Sequence, residues 1–98
     1  MRVITGKARG IPLKTPQGML TRPTADRVKE ALFSIIRFDV AGARVLDLFG
    51  GTGQLGIEAL SQGAERAVFV DAREEACTLI RENLKRTRLS EQGNVVRC

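Results

Sequence analysis

The stretch VLDLFGGTGQLGIEAL, residues 45–60, decides the fold of this 98-residue chain. A run of apolar residues breaks at Gly51, Gly53 and Gly56, and apolar residues then resume at helical spacing. Glycines at this spacing let the backbone turn sharply after a strand, and the following helix offers unpaired N–H groups in its first turn. The stretch therefore predicts a strand, a tight turn and a helix that together hold a nucleotide-like ligand.

The residues after this turn predict alternating helices and strands. The predicted order is a strand at about residues 44–49, a helix at 54–63, a buried strand at 66–71, a helix at about 73–88 and a third strand beginning at 94. In the helix predicted at about residues 73–88, the inward positions include Ala76, Ile80 and Leu84. Such alternation implies parallel strands joined by right-handed crossovers, so we expect an α/β fold with flanking helices.

The residues before the turn predict a basic arm and one helix. Residues 1–21 contain two short extended pieces separated by Gly6 and Gly10, which is typical of a small hairpin. Residues 22–43 form a helix and linker in this interpretation, with Thr24 as N-cap. The apolar residues of this helix recur at the spacing of one buried stripe: Val28, Ala31, Leu32, Ile35 and Ile36.

The positive charge of the chain is concentrated in its first half. The whole chain has 16 Lys and Arg against 11 Asp and Glu. Nine of the basic residues but three of the acidic ones lie in residues 1–44, whereas residues 45–98 contain seven and eight. A basic arm on a near-neutral body indicates either a polyanionic partner beside the glycine turn or a solvated basic face.

Composition limits the other function classes. The apolar fraction is 43%, and no apolar run approaches the roughly 20 residues of a membrane span. There is no apolar signal-peptide core at the N-terminus, so we expect a cytoplasmic protein without a membrane partner. Two cysteines without histidine indicate neither a disulfide framework nor a metal site.

Two carboxylates narrow the choice of ligand. Asp71 follows Gly51 by twenty positions at the end of the next strand, where a carboxylate can accept hydrogen bonds from ribose hydroxyls. That pairing suits either a dinucleotide or S-adenosylmethionine. Asp47 stands at the end of the first strand, where it would repel a pyrophosphate but favour a ligand with ammonium and sulfonium groups. Its alternative and compatible role is to cap backbone amides of the turn.

The segments "VLDLFGGTGQLGIEALSQGA" and "VFVD" resemble motif I and the acidic second strand of class I methyltransferases. The opening "MRVITGKARGIPLKTP" and "RPTADRVKEALFSII" are similar to the bacterial RsmD family, which methylates the exocyclic N2 of a guanine in small-subunit ribosomal RNA. The resemblance covers essentially the whole chain. It implies the N-terminal half of a Rossmann-like fold, with residues 44–98 as the first part of the domain that binds S-adenosylmethionine.

The resemblance also implies roles for individual residues. Those matching cofactor-binding positions are Asp47, Phe49, Gly51 and Gly53 in the turn, Asp71 for the ribose, Ala72 beside the adenine, and Thr24. The basic residues expected to hold RNA phosphates are Lys7, Arg9, Arg22, Arg27 and Lys29. The implied partner is small-subunit ribosomal RNA or the assembled small subunit, and no metal is implied.

One family motif has no match in this sequence. The N-P-P-Y or D-P-P-F tetrapeptide, which in the family holds the target amino group, is absent from these 98 residues. We therefore expect a single partial domain that is inactive alone and exposes a sheet edge through which copies could associate. Two other hypotheses stay open from the sequence, namely an NAD-binding fragment of a dehydrogenase and a non-catalytic RNA-binding module.

Overall fold

The computed structural model describes residues 1–15, 23–48 and 51–98, with side chains in the first helix described from Asp26 onward. The elements in chain order are α1 (Pro23–Val40), β1 (Arg44–Leu48), α2 (Gln54–Ser61), β2 (Arg66–Asp71), α3 (Glu74–Arg86), a 3₁₀ turn (Ser90–Gln92) and β3 (Gly93–Arg97). The type and order of these elements confirm the predicted alternation. The two helices after the glycine turn end a few residues earlier than predicted.

The three strands form one parallel sheet in the order β1-β2-β3. Phe69 of β2 is fully buried at the centre of the core. Its ring lies so close to α2 that a Cβ at Gly56 would come within 2.4 Å of it. Ala76, Ile80 and Leu84 of α3 are buried as predicted. The fold is therefore a parallel α/β sheet with flanking helices, as expected for the N-terminal half of a Rossmann-like domain.

The first fifteen residues form the predicted hairpin, and it packs against the body. Its two sides are joined by an isolated antiparallel bridge between Arg2 and Pro12 and by the bond from the Leu13 N–H to the Met1 carbonyl, at 2.8 Å. Val3 and Leu13 are buried in the same core as the sheet. The hairpin is therefore part of the folded domain.

A buried ionic network fixes the hairpin to two helices. Glu58 of α2 is fully buried and accepts hydrogen bonds from the N–H groups of Ile4 and Thr5, at 2.8 and 3.0 Å. Lys29 of α1 lies 3.4 Å from the same carboxylate and donates to the Arg2 carbonyl at 2.8 Å. A buried carboxylate requires such a partner because an unpaired buried charge is strongly destabilising.

This network corrects the expectation that Lys29 holds an RNA phosphate. Only 2% of the Lys29 side chain is exposed, and its ammonium group is already paired inside the protein. The sequence interpretation counted Lys29 among the basic residues that would hold phosphates. The acceptor that draws it inside, Glu58, is 29 positions away in the sequence.

The apolar stripe predicted for α1 is also wrong in part. Four of the five predicted residues are exposed, namely Val28, Ala31, Leu32 and Ile35, and Ile36 is partly buried. Phe33 and Val40 are the apolar residues of α1 that are buried. The helix is rotated from the predicted orientation because the face with Lys29 and Phe33 packs toward α2 and the hairpin. The outer face of α1 keeps apolar residues without a covering element in the described chain.

An apolar groove runs between α1 and β1. Its volume is about 320 Å³, and Phe33, Ile36, Val45 and Leu55 are among the residues that line it. On the strands, Leu46 and Leu48 of β1 and Val96 of β3 are exposed. No helix in the described part of the chain is long and apolar enough to cross a membrane.

Candidate cofactor site at the glycine turn

The glycine turn connects the carboxyl end of β1 to the amino end of α2. Gly51 and Gly53 adopt φ angles of 62° and 82°, which other residues rarely adopt. At Gly53 a Cβ would also lie 3.2 Å from the Ile80 side chain. The turn therefore depends on glycine for its backbone conformation and for its close approach to α3.

Asp47 supplies a side-chain cap that α2 lacks at its own N-terminus. Gly53 is the N-cap residue and has no side chain, but Asp47 Oδ2 accepts a hydrogen bond from the Gly56 N–H at 3.1 Å. The expected capping role of Asp47 is therefore confirmed. Burial raises the pKa of this carboxyl group, and the Gly56 N–H partly opposes that effect. No Lys or Arg among residues 1–15, 26–48 and 51–98 forms an ion pair with it.

Asp71 lies at the carboxyl end of the neighbouring strand and contacts the turn directly. Its Oδ2 accepts a hydrogen bond from the Gly51 N–H at 3.3 Å, and its Oδ1 accepts one from the Arg73 N–H at 2.9 Å. The Arg73 guanidinium also donates to both oxygens. The side-chain bonds to Arg73 are the main reason that the pKa of Asp71 falls to about 2. Asp71 is therefore an ionised hydrogen-bond acceptor over the neutral pH range.

Arg73 is a site residue that the sequence interpretation missed. Its side chain is 66% exposed, yet it lies against a carboxylate that is almost fully buried. A basic residue two positions after an acid at a strand end was the available signal. Next to it, Ala72 is exposed, and its carbonyl accepts a hydrogen bond from Arg97 Nε at 3.2 Å.

Asn83 is a second residue that was missed, and it connects the turn to the hairpin. Its side chain is fully buried, and Nδ2 donates to the Thr52 carbonyl at 2.9 Å and to the Lys14 carbonyl at 3.0 Å. Its Oδ1 accepts from the Lys14 N–H at 2.7 Å. One amide group therefore holds α3, the glycine turn and the end of the hairpin together. An asparagine inside a helix was too common a feature to indicate this role.

The other residues implied by the resemblance lie apart from the turn or outside the described residues. Phe49 and Arg22 fall outside the described residues, as does the side chain of Thr24 in the first turn of α1. Lys7, Arg9 and Arg27 are exposed. The part of the chain that the structure describes contains no group of three His, Cys, Asp or Glu residues that could hold a metal ion.

Comparison with known proteins places the chain in a family. The profile of the family described as "Conserved hypothetical protein 95" matches residues 1–97. The Bacillus subtilis protein named "Putative rRNA methyltransferase YlbH" is 47% identical over 97 residues, which are 99% of this chain and 53% of that protein. "Ribosomal RNA small subunit methyltransferase D" of Haemophilus influenzae is 36% identical over 99 residues, covering 98% of this chain and 50% of that protein.

A solved structure agrees with these relatives. The Escherichia coli structure titled "Putative methyltransferase yhhF" superimposes with a TM-score of 0.87 at 36% identity and covers 100% of this chain and 53% of that one. The chain thus spans about half the length of the relatives it matches. With this profile match, these identities and a shared fold, the chain belongs to the Conserved hypothetical protein 95 family, the RsmD family of ribosomal RNA methyltransferases.

Proposed function

We propose that this chain forms the S-adenosylmethionine-binding half of an enzyme that methylates the exocyclic N2 of a guanine in small-subunit ribosomal RNA. The names of the relatives support methyl transfer to ribosomal RNA. The choice of methyl donor and of the guanine N2 atom comes from the sequence motifs. We further propose that the protein acts in the cytoplasm, where ribosomal RNA is modified.

The observation that supports this donor most strongly is the pair of carboxylates beside the turn. Asp47 is buried and forms no ion pair with a Lys or Arg in the described part of the chain, so a positively charged ligand would offset the cost of burying its carboxylate. Asp71 is ionised and bonded to the Gly51 N–H, so it is placed to accept hydrogen bonds from a ribose diol next to the turn. These residues fit S-adenosylmethionine better than they fit a pyrophosphate.

The residues of this chain would bind and orient the donor. S-adenosylmethionine supplies an electrophilic methyl group on its sulfonium when it is bound. Asp47 would face the cationic methionine end, Asp71 would accept the ribose hydroxyls, and Ala72 would lie beside the adenine. Because methyl transfer needs no covalent enzyme intermediate here, positioning is the main contribution of the protein.

Arg73 shares the carboxylate that would hold the ribose. Its guanidinium donates to both oxygens of Asp71, at 3.2 and 3.4 Å. A ribose would therefore share these oxygens with Arg73 or displace its side chain. Since that side chain is mostly exposed, the displacement costs little.

A binding experiment on the full-length protein tests the proposed donor. Titration by calorimetry should show binding of S-adenosylmethionine and S-adenosylhomocysteine but not of NAD. The Asp47→Asn variant keeps an acceptor for the Gly56 N–H and removes the buried charge, so we expect it to fold normally and to bind S-adenosylmethionine about tenfold more weakly.

Three outcomes would contradict the proposal in different ways. Binding of NAD alone would favour the dehydrogenase hypothesis. RNA binding without transfer of labelled methyl to unmethylated small subunits would favour a non-catalytic RNA-binding module. Methyl transfer to another RNA or to DNA would keep the chemistry and reject the acceptor.

A further inference from the structure

The end of α3 lies beside the hairpin. Arg86 Nε donates to the Pro12 carbonyl of the hairpin at 3.1 Å. Lys7 Nζ donates to Gln92 Oε1 at 3.2 Å, in the 3₁₀ turn that follows α3. We define the basal basic patch as the exposed basic residues of these two neighbouring segments, the hairpin and the end of α3: Lys7, Arg9, Lys85, Arg86 and Arg88.

This patch lies at the end of the sheet opposite to the glycine turn. The turn and Asp71 follow the carboxyl ends of β1 and β2, whereas the 3₁₀ turn immediately precedes the amino end of β3. Because the strands are parallel, these two positions lie at opposite ends of the sheet. Helix α3 begins beside Asp71, and its 13 residues span about 20 Å to Arg86, whereas the glycine turn itself contacts α3 at Asn83, three residues before Arg86.

Arg88 has a backbone conformation that its side chain disfavours. Its φ is 61°, and among the described residues other than glycine it is the one with a positive φ. It follows the C-cap residue Thr87, and Leu89 N–H donates to the Leu84 carbonyl at 2.9 Å, as in a Schellman motif. Glycine is the residue that fits this position best, because it has no Cβ to strain.

The helix dipole does not account for this arginine. Basic residues in the last turn stabilise the carboxyl end of a helix, and Lys85 and Arg86 already lie there. Arg88 lies beyond the last turn at a cost in backbone strain, so its charge needs a different explanation. One acidic residue, Glu91, is exposed in the adjoining 3₁₀ turn, and Lys14 is paired with Glu82 and lies outside the patch.

We propose that the basal basic patch binds the phosphate backbone of structured ribosomal RNA at a distance from the methyl donor. Exposed guanidinium groups match phosphate oxygens through paired hydrogen bonds. The separation of about 20 Å between Asp71 and the end of α3 spans several phosphates along one strand, so the patch would fix the position of the RNA while the target base reaches the methyl donor. The inference rests on the proposed function and assigns Lys85, Arg86 and Arg88 a role that the sequence interpretation did not give them.

The test uses the full-length protein and a set of substitutions at the end of α3. Arg88→Gly should raise the melting temperature by about 2 °C because it relieves the strained backbone. The same variant should bind in-vitro-transcribed small-subunit ribosomal RNA about three- to tenfold more weakly, with a salt dependence reduced by about one in log–log slope. In the Arg86→Gln/Arg88→Gly double variant, the log–log slope of RNA affinity against salt concentration should fall by about twice as much.

Two controls separate charge from structure. Arg88→Lys keeps the charge and the strained backbone, so its melting temperature and salt slope should match the parent protein. Arg44→Gln removes an exposed charge that is paired with Glu65 at the start of β1, the opposite edge strand of the described sheet, and should leave RNA binding unchanged. Affinity for S-adenosylhomocysteine should stay constant in all four variants.

Each result then has one meaning. Unchanged affinity and salt slope in the double variant would overturn the inference while wild-type methyl transfer still supported the proposed function. If the variants bound assembled subunits more weakly but bound free RNA as well as the parent protein does, the patch would contact a ribosomal protein instead of RNA, and the inference would be overturned. If the parent protein neither bound ribosomal RNA nor transferred a methyl group, the proposed function itself would fail.

Discussion

At the residue scale, a few polar side chains make contacts that their sequence neighbours do not indicate. Asp47 caps a helix from a neighbouring strand, and Asn83 joins the glycine turn to the hairpin. Lys29 lies inside the protein because Glu58 needs a cation. The partners of Asn83 in the turn and the hairpin and the partner of Lys29 are distant in sequence, so residue type alone could not predict these pairs.

Asp71 provides a prediction with a pH dependence. The pKa of Asp71 is lowered from its ordinary value of 3.8 to about 2 in the folded protein. The ionised carboxylate therefore stabilises the fold above about pH 4, and this contribution is lost as the pH falls toward 2. We expect Asp71 to stay ionised between pH 7 and 5, so any fall in affinity for S-adenosylhomocysteine over this range would come from Asp47, whose pKa is raised by burial. Arg73→Ala should move the pKa of Asp71 back toward its ordinary value, so the variant should lose less stability between about pH 4 and pH 2 than the parent protein, measured by denaturation across the acid range.

Asp71→Asn is the companion variant for binding. An amide accepts weaker hydrogen bonds than a carboxylate, so affinity for S-adenosylhomocysteine in calorimetry should fall about tenfold or more. Once Asp71 is replaced by asparagine, adding Arg73→Ala should no longer change how stability depends on pH in the acid range, because the titrating group has been removed. Unchanged affinity in Asp71→Asn would show that other residues hold the ribose.

At the element scale, α2 is positioned by how closely it approaches β2. Gly56 is the residue that allows this approach, since the Phe69 ring occupies the space that a Cβ would need. The end of α2 is also bound to the hairpin, because Ser61 Oγ accepts a hydrogen bond from the Ala8 N–H at 2.9 Å and its carbonyl accepts one from the Lys7 N–H at 3.0 Å. The helix that begins at the glycine turn is therefore held along its length.

Gly56→Ala tests this packing. Alanine is the better helix former by about 1 kcal/mol, but its Cβ would lie 2.4 Å from a fully buried ring, so we expect a net loss of about 1 to 3 kcal/mol in the free energy of unfolding. Urea denaturation measures the loss. Adding Phe69→Leu should make the double variant less destabilised than the sum of the single variants. Additive losses would contradict a clash between these two side chains.

At the scale of the whole molecule, the uncovered apolar surface matters most. Val28 and Ile35 on α1, Leu46 and Leu48 on β1, and the 320 Å³ groove between α1 and β1 are apolar and exposed. The matched relatives are about twice as long as this chain. We propose that the remaining half of such a protein covers this surface and provides the acceptor-binding loop.

The 98-residue chain expressed alone tests that proposal. We expect it to be inactive, to bind a hydrophobic dye and to associate through its apolar surface. The full-length protein should form particles with fewer copies of the chain and should bind little dye. Light scattering after size-exclusion chromatography measures the association. A monomeric and cooperatively melting 98-residue chain that transferred methyl groups would contradict both the partial-domain proposal and the predicted inactivity.

Local pattern was sufficient for the order of elements and for the glycine turn. The alternation of apolar runs predicted β1, α2, β2, α3 and β3, because strand and helix periodicities depend on neighbouring residues. The hairpin and the capping role of Asp47 also followed from nearby glycines and from the position of an acid at a strand end. These features need no knowledge of distant contacts.

The orientation of α1 and the pairing of Asp71 with the turn depended on the packed chain. Val28 and Ile35 have the spacing of a buried stripe, but the face of α1 that packs on the described chain is the one with Lys29, which pairs with Glu58. Periodicity identifies an amphipathic face without identifying its partner, and a buried charge selects its partner by proximity in three dimensions. The basal basic patch likewise exists because parallel strands bring the end of α3 and the hairpin tip to one end of the sheet, although they are more than seventy residues apart.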